Sequence, residues 1–203
     1  MTIGNTTVVD KKTGFPIGLN HKNVKISMER VSGETWSATD LIFENGESRL
    51  SKRVFDPKLK DLLKKCKEWA KQRCDKDDSL VLEEVQNSIY TQKIGLFNSQ
   101  LQYPYRFLTG ANLEGDHATT AEAAEAIVTA FNELPQREEG YYFKTIPGAA
   151  NREGNIYPTV NVRGYLSEEP TLTYTPKEQE AVDNYTNQNT EDSSPAEDMA
   201  GKF

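Results

Sequence analysis

Lys22-Asn23-Val24-Lys25-Ile26-Ser27-Met28-Glu29-Arg30-Val31 sets the fold class. Val24, Ile26 and Met28 fall on one side and Lys25, Ser27 and Glu29 on the other, the period of two that predicts a half-buried strand. Val31-Ser32-Gly33-Glu34 has turn chemistry, and Thr35 to Glu44 reads as a second strand rich in Thr, Ile, Phe and Trp. Asn45-Gly46 is a hairpin dipeptide, so Ser48 to Phe55 is expected to return as a third strand of an antiparallel meander.

Beyond the meander, Asp56-Pro57 is expected to open a helix, with Asp as the N-cap and Pro at the first helical position. Leu59, Leu62, Leu63, Cys66, Trp69 and Ala70 make its apolar stripe, which places Trp69 in the core, and lysines fill the opposite face. Leu80 to Ile89 reads as either a short helix or an extended segment, and residues 90–118 as irregular, aromatic chain. Thr119-Thr120-Ala121-Glu122 is a capping box that starts a helix running to Leu134. Gly140 to Ile146 and Ile156 to Leu166 complete the strands, with a polar loop between them. The expected fold is α+β and mainly β: an OB-like five-stranded antiparallel barrel over residues 21–166, with inserted helices. An α+β sandwich is the alternative. Residues 1–20 read as a flexible arm and 167–203 as an acidic disordered tail, in which only Leu172, Tyr174 and Tyr185 have much to dock.

Of 203 residues 36% are hydrophobic, about 42% with the 13 glycines, which fits one domain carrying unfolded appendages. The formal charge of −7 argues at face value against a polyanion ligand. Its distribution reverses that argument. Residues 167–203 hold nine acids and two bases, whereas residues 49–76 hold eleven bases and four acids. A neutral body thus carries a basic segment of +7 and a tail of −7, an asymmetry that points to nucleic acid or a charged partner. The plainer alternative is a solvated helix face and a solubilising tail.

Cys66 and Cys74 lie about 12 Å apart along a helix, too far for a disulfide, so both are expected reduced, as in a cytoplasmic protein. The N-terminal residues lack signal-peptide chemistry, and no apolar run reaches the ~20 residues of a membrane span. His21 and His117 stand apart from the cysteines, so no zinc spacing exists. Asp75-Lys76-Asp77-Asp78-Ser79 resembles a calcium loop but has Leu80 where Gly is required and Gln86 where the bidentate Glu belongs. No nucleophile–base, phosphate-loop or dinucleotide motif occurs, so neither an enzyme, a metal nor a cofactor is expected.

Basic residues interleaved with aromatics are the remaining signal. The candidate nucleic-acid-binding residues are Arg49, Lys52, Arg53, Phe55, Lys58, Tyr141, Phe143, Lys144, Arg152, Tyr157 and Arg163. Cations neutralise phosphates while flat rings stack on bases without reading their order. The third-strand arginines rank above the helix lysines, which face away from the stripe and are expected to steer rather than touch. Trp36 is open to either a core or a stacking role.

The last thirteen residues, Glu191 to Phe203, are acidic and end in an aromatic. With the β-rich body and the basic third strand, this resembles phage- and bacterial-type single-stranded DNA-binding proteins. Gly201 and Lys202 stand where acids or a short apolar residue are usual. The resemblance implies sequence-independent binding of single-stranded DNA, or RNA by the same contacts, in viral replication or recombination within the host cytoplasm. The tail's acids mimic a phosphate backbone and are expected to compete with DNA for the basic groove, and the resemblance implies that Glu197, Asp198 and Phe203 recruit replication proteins. The alternative function is a structural or adaptor protein, such as a virion component, without nucleic-acid binding.

Overall fold

In the computed structural model, residues 14–161 and 163–191 are described, and they form an antiparallel sheet with four helices. Strand β1 (Gly18–Ser32) pairs with β2 (Ser37–Glu44), and β2 with β3 (Arg49–Phe55), in continuous register. Asn45 ties the second turn, its Oδ1 accepting from the amides of Glu47 and Ser48 at 3.2 and 2.9 Å. Strand β4 (Tyr141–Pro147) pairs with the first half of β1, and two short strands, β5 (Pro158–Thr159) and β6 (Leu166–Ser167), pair with β4. The sheet is six-stranded, ordered β3-β2-β1-β4-β5 with β6 also on β4, and it stays open. The α+β class stands, and the five-stranded closed barrel is corrected. The expected last strand, 156–166, is instead two short pieces, β5 and β6, with Gly164 at φ +70° in the bend between them.

Strand β1 serves two partners by bending. Its register against β4 shifts on both sides of His21, and Asn20 and Asn23 take φ of 53° and 58°, a left-handed conformation Asn tolerates better than most residues. Gly140 sits against this bend at φ +74°; a Cβ there would lie 2.7 Å from the Val24 carbonyl oxygen.

Helix α1 spans Leu59–Cys74, and its N-cap is Lys58, without a side-chain bond. Asp56, the expected cap, is instead held by Arg30 at 2.6 and 2.9 Å and by the Ser37 hydroxyl at 2.6 Å. Helix α2, Leu82–Thr109, crosses most of the segment read as irregular. Phe97, Leu101, Pro104 and Leu108 recur at helical spacing; the first three are buried and Leu108 packs half-buried against the core, which overrides the breaking tendency of Gly95 and Pro104. Helix α3, Thr120–Asn132, begins as the capping box predicts, with Thr119 Oγ1 accepting from the Glu122 amide at 3.1 Å.

The core lies between the inner sheet face and the helices: Ile26, Met28, Leu41, Phe43, Leu50 and Val54 meet Phe97, Leu101, Ile127 and Phe131. Phe43 stacks on Phe143 at 4.6 Å, and Tyr165 closes edge-on. Phe15 belongs to this core, so the expected arm is structured from residue 14; residues 1–13 lie outside the described residues. Cys66, Ala70 and Ile89 form a satellite core between α1 and α2, and both cysteines are free thiols.

The segment expected to be disordered also carries structure. Helix α4 spans Pro176–Glu191, opened by a second capping box in which Thr175 and Glu178 bond each other's backbone amides. Glu178 Oε2 also accepts from Lys144 Nζ at 2.7 Å, with both side chains 4% exposed, and Tyr185 is buried. Only 192–203 of the tail lie outside the described residues.

Candidate nucleic-acid interface

Alternation along β3 divides the expected residues between two faces. Arg49, Ser51, Arg53 and Phe55 occupy the outer face, opposite Glu44, Ile42, Asp40 and Ala38 of β2. Each arginine faces a carboxylate directly across the strands. Arg49 Nη1 lies 2.9 Å from Glu44 Oε1, and Arg53 forms a two-pronged pair with Asp40 at 2.8 and 2.7 Å. Asp40 is mostly buried, so its charge is fixed beneath the guanidinium rather than roaming in solvent.

The Arg53 guanidinium also lies over the Trp36 ring, 5.2 Å from its centroid. Trp36 meets Phe55 edge-on at 5.6 Å. The rings are 37% and 58% exposed, and together with Arg53 they form an aromatic–cationic platform at one end of the outer face. Trp36 is placed by the Gly33 turn, where the Gly33 amide donates to the Trp36 carbonyl at 2.9 Å. A Cβ on Gly33 would come within 2.5 Å of the indole nitrogen, so the close approach needs glycine. At the other end a groove of about 420 Å³ is lined by Lys25, Glu44, Gly46, Glu47, Ser48 and Arg49. Six strand steps, about 20 Å, separate Phe55 from Arg49.

The remaining expected residues do not join this surface. Lys52 has inner-face parity and lines a crevice with Leu41, Val54, Gln100 and Tyr165. Lys58 is exposed at the head of α1. Tyr141 and Phe143 are core residues, because β4 is an interior strand packed against Phe107, Phe43 and Phe15. Lys144 lies under α4, where its ammonium donates to Glu178 and to the Thr173 carbonyl at 2.9 Å. Burial alone would raise the Glu178 carboxyl, but bonds from Lys144, the Thr175 amide and Asn161 outweigh it and hold the pKa below its ordinary 4.5. Arg152 is exposed and Tyr157 half-buried in the loop before β5. That strand is four positions from β3, or about 19 Å. Arg163 is exposed before β6. Glu197, Asp198 and Phe203 lie outside the described residues.

Two site members escaped sequence reasoning. Asp40 and Glu44 are identified only by cross-strand register, although Asn45-Gly46 sets that register. Trp69, expected in the core, is 37% exposed with the Lys93 ammonium 5.1 Å from its ring centroid. Among the described residues no group of three or more His, Cys, Asp or Glu side chains is placed to hold a metal ion, and no helix is long and apolar enough to cross a membrane.

No protein-family model, curated protein or solved structure matches the chain.

Proposed function

We propose that the chain binds single-stranded DNA without reading its sequence, in viral replication or recombination, across the outer face of β1–β3. The observation that supports this most is the exposed Trp36–Phe55 pair with Arg53 against it and Arg49 on the same face. Bases stack on the rings, and the strand's phosphates displace Glu44 and Asp40 from the arginines. The outer strand face serves as the stacking surface. RNA offers the same rings and phosphates, and its affinity relative to oligo(dT) is part of the test. The acidic tail competes for this face and recruits replication proteins.

Oligo(dT), oligo(U) and duplex are titrated against the full chain at rising salt, with tryptophan fluorescence as readout. Single strands are expected to quench Trp36 and bind more weakly as salt rises. Absence of binding at low salt, with the tail intact or removed, would overturn the proposal.

A structural or adaptor role is the second reading. It is favoured by the ion pairs that already satisfy Arg49 and Arg53 and by the burial of Tyr141, Phe143 and Lys144. It predicts no salt-dependent binding in the same titration.

A further inference from the structure

The helical side of the molecule carries an apolar, charged tract that the proposed interface does not use. Helix α1 covers only the middle of its stripe: Cys66 and Ala70 meet Ile89, while Leu59 and Leu63 stay 37% and 43% exposed. At 100° per residue, Lys67, Lys60, Lys71 and Lys64 follow Leu63 around the helix, so a lysine row borders the exposed leucines. Leu59 lines a groove of about 660 Å³ that passes Ile94 of α2 and Leu113 and reaches Ile127 of α3. Leu113, Glu114 and His117 also line a second groove, of about 560 Å³, along α3. Its walls include Ala126 and Ala130, with Glu122, Glu125 and Glu133. The two grooves share Leu113, Glu114 and His117 and form one tract, with the α1 lysine row beside its Leu59 end and acids along its α3 end.

Such a tract complements itself when turned through 180°, which is the condition for a two-fold interface. We propose that it joins two copies of this chain. The exposed leucines and lysine row of one copy lie in the Ala126–Ala130 groove of the other, and the reverse contact forms at the same time. A second copy is the occupant because both halves of the charge match stand on one chain. A purely acidic partner meets repulsion at α3, and a purely basic one at α1. The dimer leaves the outer face of β1–β3 open.

Sedimentation velocity of the full chain over a concentration series reads the mass directly. Twice 22.9 kDa is expected at low salt, falling towards the monomer at high salt. Lys60→Glu with Lys64→Glu, and separately Glu114→Lys with Glu133→Lys, should each weaken the dimer by about tenfold or more. Glu122 and Glu125 are left intact because they bond the Ala118 amide and Arg30. Mixed in equal amounts, the two variants should associate again to within about threefold of the wild type, since each then offers the charge the other lacks. Recovery also shows that both variants are folded. A monomer at every concentration, a dimer indifferent to both reversals, a mixture that stays apart, or masses growing beyond two copies would each overturn the inference.

Discussion

Arg53 stands between two competing demands: Asp40 holds its guanidinium in a two-pronged pair, and Trp36 presents a ring beneath it. A phosphate arriving at this face must displace a carboxylate, so affinity depends on how firmly Asp40 keeps its partner. Asp40→Asn removes the anion while preserving shape, and it is expected to tighten oligo(dT) binding several-fold at low salt. An unchanged affinity, read by fluorescence titration, would mean that Arg53 does not meet phosphate. Trp36→Ala removes the ring itself, and loss of one stacked base weakens binding by about 1–3 kcal/mol. The same substitution leaves the inner core untouched, so thermal melting checks that the loss belongs to the interface. Arg49, Arg53 and Phe55 were legible in the sequence because period two puts them on one face. Asp40 and Glu44 were not, because only strand pairing says what an arginine faces.

At the scale of elements, the free edge of β1 is closed by side chains rather than by another strand. Asn132 and Gln136, from the end of α3 and the chain just beyond it, each offer an amide that both donates and accepts. Asn132 pairs with the N–H and C=O of Met28 at 3.3 and 2.9 Å, and Gln136 with those of Ile26 at 3.4 and 2.7 Å. An edge protected in this way does not recruit a further strand. Asn132→Ala strips both partners from Met28, and a loss of about 1–3 kcal/mol in urea unfolding is expected. Helix α4 depends on the Lys144–Glu178 pair. Lys144→Met leaves a buried carboxylate without its cation and should cost about 3–5 kcal/mol. Protease cleavage ahead of α4 reports the release. The pH dependence follows from the depressed Glu178 pKa. The docking contribution is complete above the ordinary carboxyl value of 4.5 and is lost as pH falls through the lower folded-state value. Release of α4 is therefore expected only in that acid range, by the same cleavage assay.

For the molecule as a whole, charge is divided between a basic α1, ion pairs on the outer sheet face, and acids near α3 and the C-terminus. If the acidic tail competes for the outer face, deleting residues 192–203 should tighten oligo(dT) binding at low salt and change it little at high salt. Equal affinity of the two forms would remove the tail from the binding equilibrium. The meander, its Asn45-Gly46 turn, α3 with its capping box and the +7 and −7 segments were all legible in the sequence. Each rests on local spacing, turn chemistry or composition, which act over a few residues. The open sheet, the helical course of 90–109, the docking of α4 and the burial of Tyr141, Phe143 and Lys144 came only from tertiary structure. Local preference there is weak or contrary: Gly95 and Pro104 disfavour a helix, and the polar residues of 167–191 give little sign of docking. Burial between distant segments supplies the deciding free energy, and residues such as Lys144 and Glu178 reveal their role only when the fold brings them within bonding distance.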